Sequence, residues 1–152
     1  ILLDPALHAE MMTCLLDIAD HVGWLPDVWT AGHAGYIQGG ISPDVMICEA
    51  ALKGVEGIDY RKALGYILKN GEQESPNPYF YGRYLADYRD MGFLTTAHVP
   101  KGCVSRTIEY AYQDWCAGRL AQQLGGTYVA MRRFESSRNL WNLWRDDLKC
   151  FA

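Results

Sequence analysis

No stretch of this 152-residue sequence approaches the roughly 18 to 20 uncharged apolar residues that cross a bilayer. The nearest, Val45 to Val55, is broken by Glu49 and Lys53, so no membrane partner is expected. A basic excess is also missing: 14 Lys and Arg stand against 18 Asp and Glu, a formal charge of -4. That balance excludes a protein held to nucleic acid by its phosphates, which needs a positive face. The five cysteines, Cys14, Cys48, Cys103, Cys116 and Cys150, include no CxxC pair and signal neither a zinc site nor a compact disulfide framework. Cys14, Cys48 and Cys116 fall inside helical patterns and read as small buried hydrophobes. The four histidines have no metal-ligand spacing, and we assign no metal ligand on this chain. There is no low-complexity tract and no convincing strand alternation. Nothing at the start resembles a signal peptide, and the opening ILLDP reads as cut from something longer.

What is present is helix. Asp4-Pro5 supplies a capping oxygen and a proline whose missing N–H costs nothing in a first turn; Leu7, Met11, Leu15, Ile18 and Val22 follow at helical spacing up to Gly23. Ser42-Pro43-Asp44 repeats the device, with Ser42 as cap, and predicts a helix to about Lys53. Asp59 opens a third helix, closed by Asn70-Gly71. A fourth is expected over Phe80 to Met91, a long fifth from Val104 to Leu124, and a sixth from Thr127 to Asn142 with a Trp-rich tail. Between the first two lies WLPDVWTAGHAGYIQGG, too aromatic for a linker and too broken for a helix, which reads as a packed loop. Six helices without strands predict an all-α fold of consecutive helical hairpins in a single domain over 1–152.

The segment Val104 to Trp115 packs two carboxylates, an arginine, two tyrosines and a tryptophan into about three helical turns. With Ile108, Ala111 and Trp115 facing the core, Glu109 lies on the flank with Ser105, Tyr112 and Gln113. Asp114, five residues on, points elsewhere, so the helix holds no complete acid/base pair. Glu109 has two readings from the residues alone. One is a proton donor kept protonated by burial among its tyrosines; the other is an exposed partner of Arg106, one turn back, worth a few tenths of a kcal/mol, roughly. Trp24 and Trp29 are candidates for stacking on a sugar or for loop packing. Arg83 is a candidate ion-pair member or substrate contact.

The string SRTIEYAYQDW (Ser105 to Trp115) resembles the signature of glycoside hydrolase family 92, the calcium-dependent, inverting exo-α-mannosidases. Three more blocks are similar to that family in order and spacing: MMTCLLDIADHVGWLPD (Met11 to Asp27), YIQGGISPDVMICEAALKG (Tyr36 to Gly54), closest to its fungal branch, and YGRYLADYRDMGFL (Tyr81 to Leu94). The resemblance spans about residues 2 to 145. Where family members carry Asp and Tyr after the Gly-Gly loop, this sequence has Glu49 and Ala51.

The resemblance implies an internal piece of a catalytic domain, part of an (α/α)6 toroid. It implies Glu109 as the general acid, with Gly39, Gly40, Arg106 and Tyr110 as substrate contacts. Terminal α-1,2-type mannosyl linkages of glycans, as in N-glycan processing, are the implied substrate, and a secreted or vacuolar compartment the implied setting. Calcium is the implied cofactor, with its principal ligands, like the general base, later than this chain. We therefore expect the isolated chain to be inactive. The competing readings are a non-catalytic helical module that binds glycan or protein, a truncated inactive paralogue, and another toroidal glycosidase or lyase.

Overall fold

In the computed structural model, residues 3–37 and 39–152 are described; Gln38, inside the Gly-Gly block, and Leu2, at the edge of the resemblance, lie outside them. Helix α1 is Pro5–Val22, and its start is the one the sequence predicts: Asp4 Oδ1 accepts from the Leu7 N–H at 2.9 Å. Such a cap contributes about 1 kcal/mol. Gly23 ends the helix in a left-handed conformation at φ 83, which only glycine adopts without cost. Helix α2 is Ser42–Leu52, and here the expected cap is corrected. Ser42 is already inside the helix, and its N–H is satisfied at 2.8 Å by Asp27 Oδ1, reaching across from the preceding loop. Helix α3, Tyr60–Glu72, is capped as expected by Asp59, which accepts from the Lys62 N–H at 3.0 Å.

Helix α4 is Ala86–Met91 only, half the length predicted. Residues 80–85 are drawn out of helix by Gly82, at φ 66, and by a bridge between Tyr81 and Pro26 that ties this loop to the first one. Helix α5 is Cys103–Gln123, and α6 is Thr127–Ser136. The expected sixth helix tightens after Ser136 into 3-10 turns over Ser137–Leu143. Two minimal antiparallel pairs were not expected: β1 (Trp29–Thr30) with β2 (His33–Ala34), and β3 (Trp144–Arg145) with β4 (Cys150–Phe151). Each is two residues long and leaves the all-α class intact.

Helices α1, α2, α3 and α5 share one core, built from Met12, Leu16 and Ala19, Ile47 and Cys48, Ala63 and Ile67, and Ala117 and Leu120. Leu25, Ile37 and Ile41 of the loop between α1 and α2 are buried in the same core, which makes that loop a fixed wall. Each such Leu or Ile stabilises by about 1.5 to 3 kcal/mol. A smaller cluster joins Tyr88, Leu94, Val99 and Tyr110. Helix α5 runs through the middle of the packing. Its Gly118 admits α6, since a Cβ there would stand 2.7 Å from the Phe134 ring.

The buried face of α5 includes Ala111, Cys116 and Leu120 as the apolar spacing indicates, but not Trp115, and it is widened by polar residues. Arg106, Thr107, Gln113 and Asp114 are inside, and Trp115 is 41% exposed, stacked on Tyr112 with ring centroids 6.2 Å apart. Polar partners on neighbouring elements turn the helix toward them. Cys14 is likewise exposed, whereas Cys48 and Cys116 are buried as expected. Among the described residues, no helix is long and apolar enough to cross a membrane.

Candidate active site

Glu109 projects from the second turn of α5 and is exposed. It faces the Gly-Gly loop: a Cβ on Gly39 would lie 3.2 Å from Glu109 Cγ, so a bare backbone is what lets the carboxylate arm lie against this wall. Gly40 is buried, and the space beside it is occupied by Gln113 of the same helix. Glycine at 40 is thus explained by packing.

Neither reading of Glu109 from the residues alone holds as stated: its side chain is exposed and not buried among the tyrosines, and Arg106 does not clasp it. The Arg106 side chain is turned inward at 3% exposure, and Nη2 donates to Tyr36 Oη at 2.9 Å and to the Ile37 carbonyl at 2.8 Å. The guanidinium also sits over the Tyr36 and Tyr84 rings, 5.7 Å from each centroid. This arginine pins the loop to α5 and leaves the Glu109 carboxylate to the open side. Tyr110 is 1% exposed; its hydroxyl accepts from the Tyr84 N–H at 3.2 Å, and its ring meets Tyr88 edge-on. Burial raises the Tyr110 phenol above its usual range. Of the expected substrate contacts, then, Gly39 borders Glu109 directly, Arg106 acts behind the loop, and Gly40 and Tyr110 are enclosed.

Asp114 does point elsewhere, into an ion cluster the sequence reading did not foresee. Its Oδ1 accepts from Arg83 Nη1 at 2.7 Å and Arg133 Nη1 at 3.2 Å, and its Oδ2 accepts from Tyr88 Oη at 3.0 Å. Arg133 also pairs with Glu72, and Arg83 Nη2 lies 3.7 Å from Asp44 Oδ2. Arg83, 1% exposed, is settled as an ion-pair member. Burial alone would lower its pKa, but the Asp114 and Asp44 carboxylates outweigh that and raise it. Asp44 is fully buried and its oxygens accept no hydrogen bond among the described residues. Burial pushes its carboxyl up to about 8 against the pull of Arg83, with Asp114 and Asp27 adding to the rise. The sequence offered Arg83 as an ion-pair member, but its partner Asp114 lies 31 residues away, and Arg133, 19 residues beyond Asp114, carried no local signal.

Trp24 is buried with the Lys69 ammonium 4.6 Å from its ring centroid, which makes it a packing residue. At the two departures from the family pattern, Glu49 is an exposed partner of Lys53, and the buried Ala51 offers its carbonyl to Gln123 at 2.9 Å. A hollow of about 750 Å³ lies away from Glu109, between the end of α3, α4 and α6. Its charged floor, Asp114, Arg133 and Glu72, is already paired internally, so we place the candidate site at Glu109 and the Gly-Gly loop instead.

Calcium does not fit the residues present. Among the described residues, no group of three or more His, Cys, Asp or Glu is arranged to hold a metal ion. A cation at the open oxygens of Asp44 would be repelled by the facing Arg83 guanidinium.

Glu109 is thus an exposed carboxylate on α5, set against the bare backbone of Gly39. The chain belongs to glycosyl hydrolase family 92: the model of its catalytic domain matches residues 1–152. An uncharacterized secreted glycosidase of Arthroderma benhamiae is 33% identical over 153 residues, covering 95% of this chain and 20% of that protein. The solved inverting mannosidase of the same family from Bacteroides thetaiotaomicron superposes with a TM-score of 0.89 at 22% identity, over 97% of this chain and 20% of that one. At that identity the likeness carries the fold, and the all-α partial-toroid architecture agrees with it. The chain spans about a fifth of the length of these relatives.

Proposed function

We propose that this chain is the general-acid portion of an inverting α-mannosidase, acting on terminal mannosyl groups of glycans within a longer catalytic domain. The observation that carries the reading is the placement of Glu109. It holds the one position in a family 92 chain to which the family resemblance gives a proton donor, and its neighbouring guanidinium is engaged elsewhere. In the reaction, the Glu109 carboxyl gives its proton to the glycosidic oxygen as the bond from that oxygen to the sugar's C1 breaks. Water enters C1 from the opposite face and loses its proton to a second carboxylate, roughly 6.5 to 9.5 Å from the first.

The other carboxylates packed with α5 do not suit that second role. Asp114 is held by two arginines and a tyrosine, and Asp44 is sealed inside the protein. By the family resemblance the base belongs to a part of the domain beyond these residues, and the chain alone is expected to be inactive. Linkages of the α-1,2 type, N-glycan substrates, calcium held by other segments, and a secreted or vacuolar setting belong to the same proposal. They rest on the family alone. The test is mannose release from a synthetic α-mannoside: the whole catalytic domain turns over and the isolated 152 residues do not. Turnover by the isolated chain that is lost in Glu109→Gln would contradict the two-carboxylate division.

A further inference from the structure

Cys48 and Cys116 stand far apart in the sequence and meet in the middle of the fold. Cys48 is on the buried face of α2 beside Ile47 and Ala51, and Cys116 is on the buried face of α5 beside Ala117 and Leu120. Both belong to the main core, at 1% and 2% exposure. Two contacts fix α2 against α5 on either side of them. Gly40, just ahead of α2, is backed by Gln113, and near the other end of α2 the Ala51 carbonyl accepts from Gln123 Nε2 at 2.9 Å. Between these contacts the two thiols are in hydrogen-bond contact with each other. The other cysteines are not so placed: Cys14 and Cys150 are exposed, and Cys103 is half-buried at the start of α5.

A buried thiol usually serves as a small apolar side chain, and packing alone asks nothing of its neighbour. Here two thiols are set against each other on helices already held in place by other contacts. A disulfide needs Cβ atoms roughly 3.5 to 4.5 Å apart on side chains that point at each other. A hydrogen-bonded thiol pair meets the second condition and leaves little to close for the first. Cys48 is the better starting nucleophile: the hydrogen bond from the Cys116 thiol holds it below the usual thiol range against the effect of burial, and Arg119 adds to the lowering.

We propose that Cys48 and Cys116 form a disulfide that ties α2 to α5. The Cys48 thiolate attacks a small disulfide such as oxidised glutathione, forming a mixed disulfide and releasing one glutathione thiol; the Cys116 thiolate then attacks the Cys48 sulfur and releases the second. The protein thiols together lose two protons and two electrons, and the glutathione disulfide is reduced to two thiols. The bond closes a loop of roughly 70 residues, long enough to constrain the unfolded chain strongly. It joins the helix that carries Glu109 to the helix that follows the Gly-Gly loop, and it is independent of the reaction assigned to Glu109.

The experiment is disulfide mapping of the whole catalytic domain. The purified domain is held in mixed oxidised and reduced glutathione, with urea just below the unfolding midpoint so that the core opens and both thiols are reached. Free thiols are then alkylated and the protein is digested without reduction. The expected result is a peptide pair joined through Cys48 and Cys116, two hydrogens lighter than the separate thiol peptides, that comes apart on reduction. Thermal unfolding gives a second readout. Reduction should lower the melting midpoint by about 3 to 10 °C more in the unsubstituted domain than in Cys48→Ala, which only trims a small apolar group. Recovery of Cys48 and Cys116 both fully alkylated, a link from either to Cys14, Cys103 or Cys150, or an equal effect of reduction in Cys48→Ala and the unsubstituted domain overturns the proposal.

Discussion

Gln113 occupies the space in which a side chain on Gly40 would stand. A Cβ at position 40 would lie 2.9 Å from Gln113 Cδ and closer still to its amide nitrogen. Gln113 is 1% exposed, in the middle of α5. Gly40→Ala should therefore cost about 1 to 3 kcal/mol, the usual penalty of overpacking, read as a lowered urea midpoint. Gln113→Ala in the same chain should recover most of that loss, because the two changes share one space and do not add. Additive losses would show that the strain at position 40 has another source.

The Asp114 cluster predicts a strong asymmetry. Asp114→Asn keeps the shape but strips the charge that compensates Arg83 and Arg133, and should destabilise by about 3 to 5 kcal/mol. Glu72→Gln removes the outer partner of Arg133, whose carboxylate end is 55% exposed, and should cost under about 1 kcal/mol. Urea unfolding of the two variants checks the ordering. Similar losses would mean that the buried pairs are weaker than their geometry indicates.

Asp44 gives the fold a pH dependence of opposite sign to an ordinary ion-paired carboxylate. Its carboxyl is raised from 3.8 to about 8 in the folded chain. Between those values the unfolded chain releases a proton that the folded chain keeps, so rising pH favours unfolding through this group. Its contribution is full below pH 3.8 and is lost as pH climbs through about 8. Stability measured against pH should fall relative to Asp44→Asn across that window. Parallel curves would show that Asp44 is already ionised against Arg83.

The helices that carry their own caps and stops were legible in the sequence, and the helices built on long-range partners were less so. Asp4 and Gly23, and Asp59, act within a few residues of the helices they bound. The cap of α2 comes from Asp27, fifteen residues away, and no local rule points to it. Reading α5 from its apolar residues turned Trp115 inward, because Arg106, Gln113 and Asp114 are polar and yet buried by partners on other elements. The same limit applies at the site. Glu109 stood out through its resemblance, but whether Arg106 paired with it depended on Tyr36, 70 residues earlier.

If Glu109 donates a proton to the leaving group, the leaving group itself can report this. In the whole catalytic domain, Glu109→Gln should lower kcat by about 10² to 10⁴ on an α-linked mannobiose, whose departing hydroxyl needs protonation. On α-mannosyl fluoride, which departs without strong assistance, the same variant should stay within about tenfold of the wild type. Equal losses on both substrates, or none on either, would contradict the assignment of the general acid to Glu109.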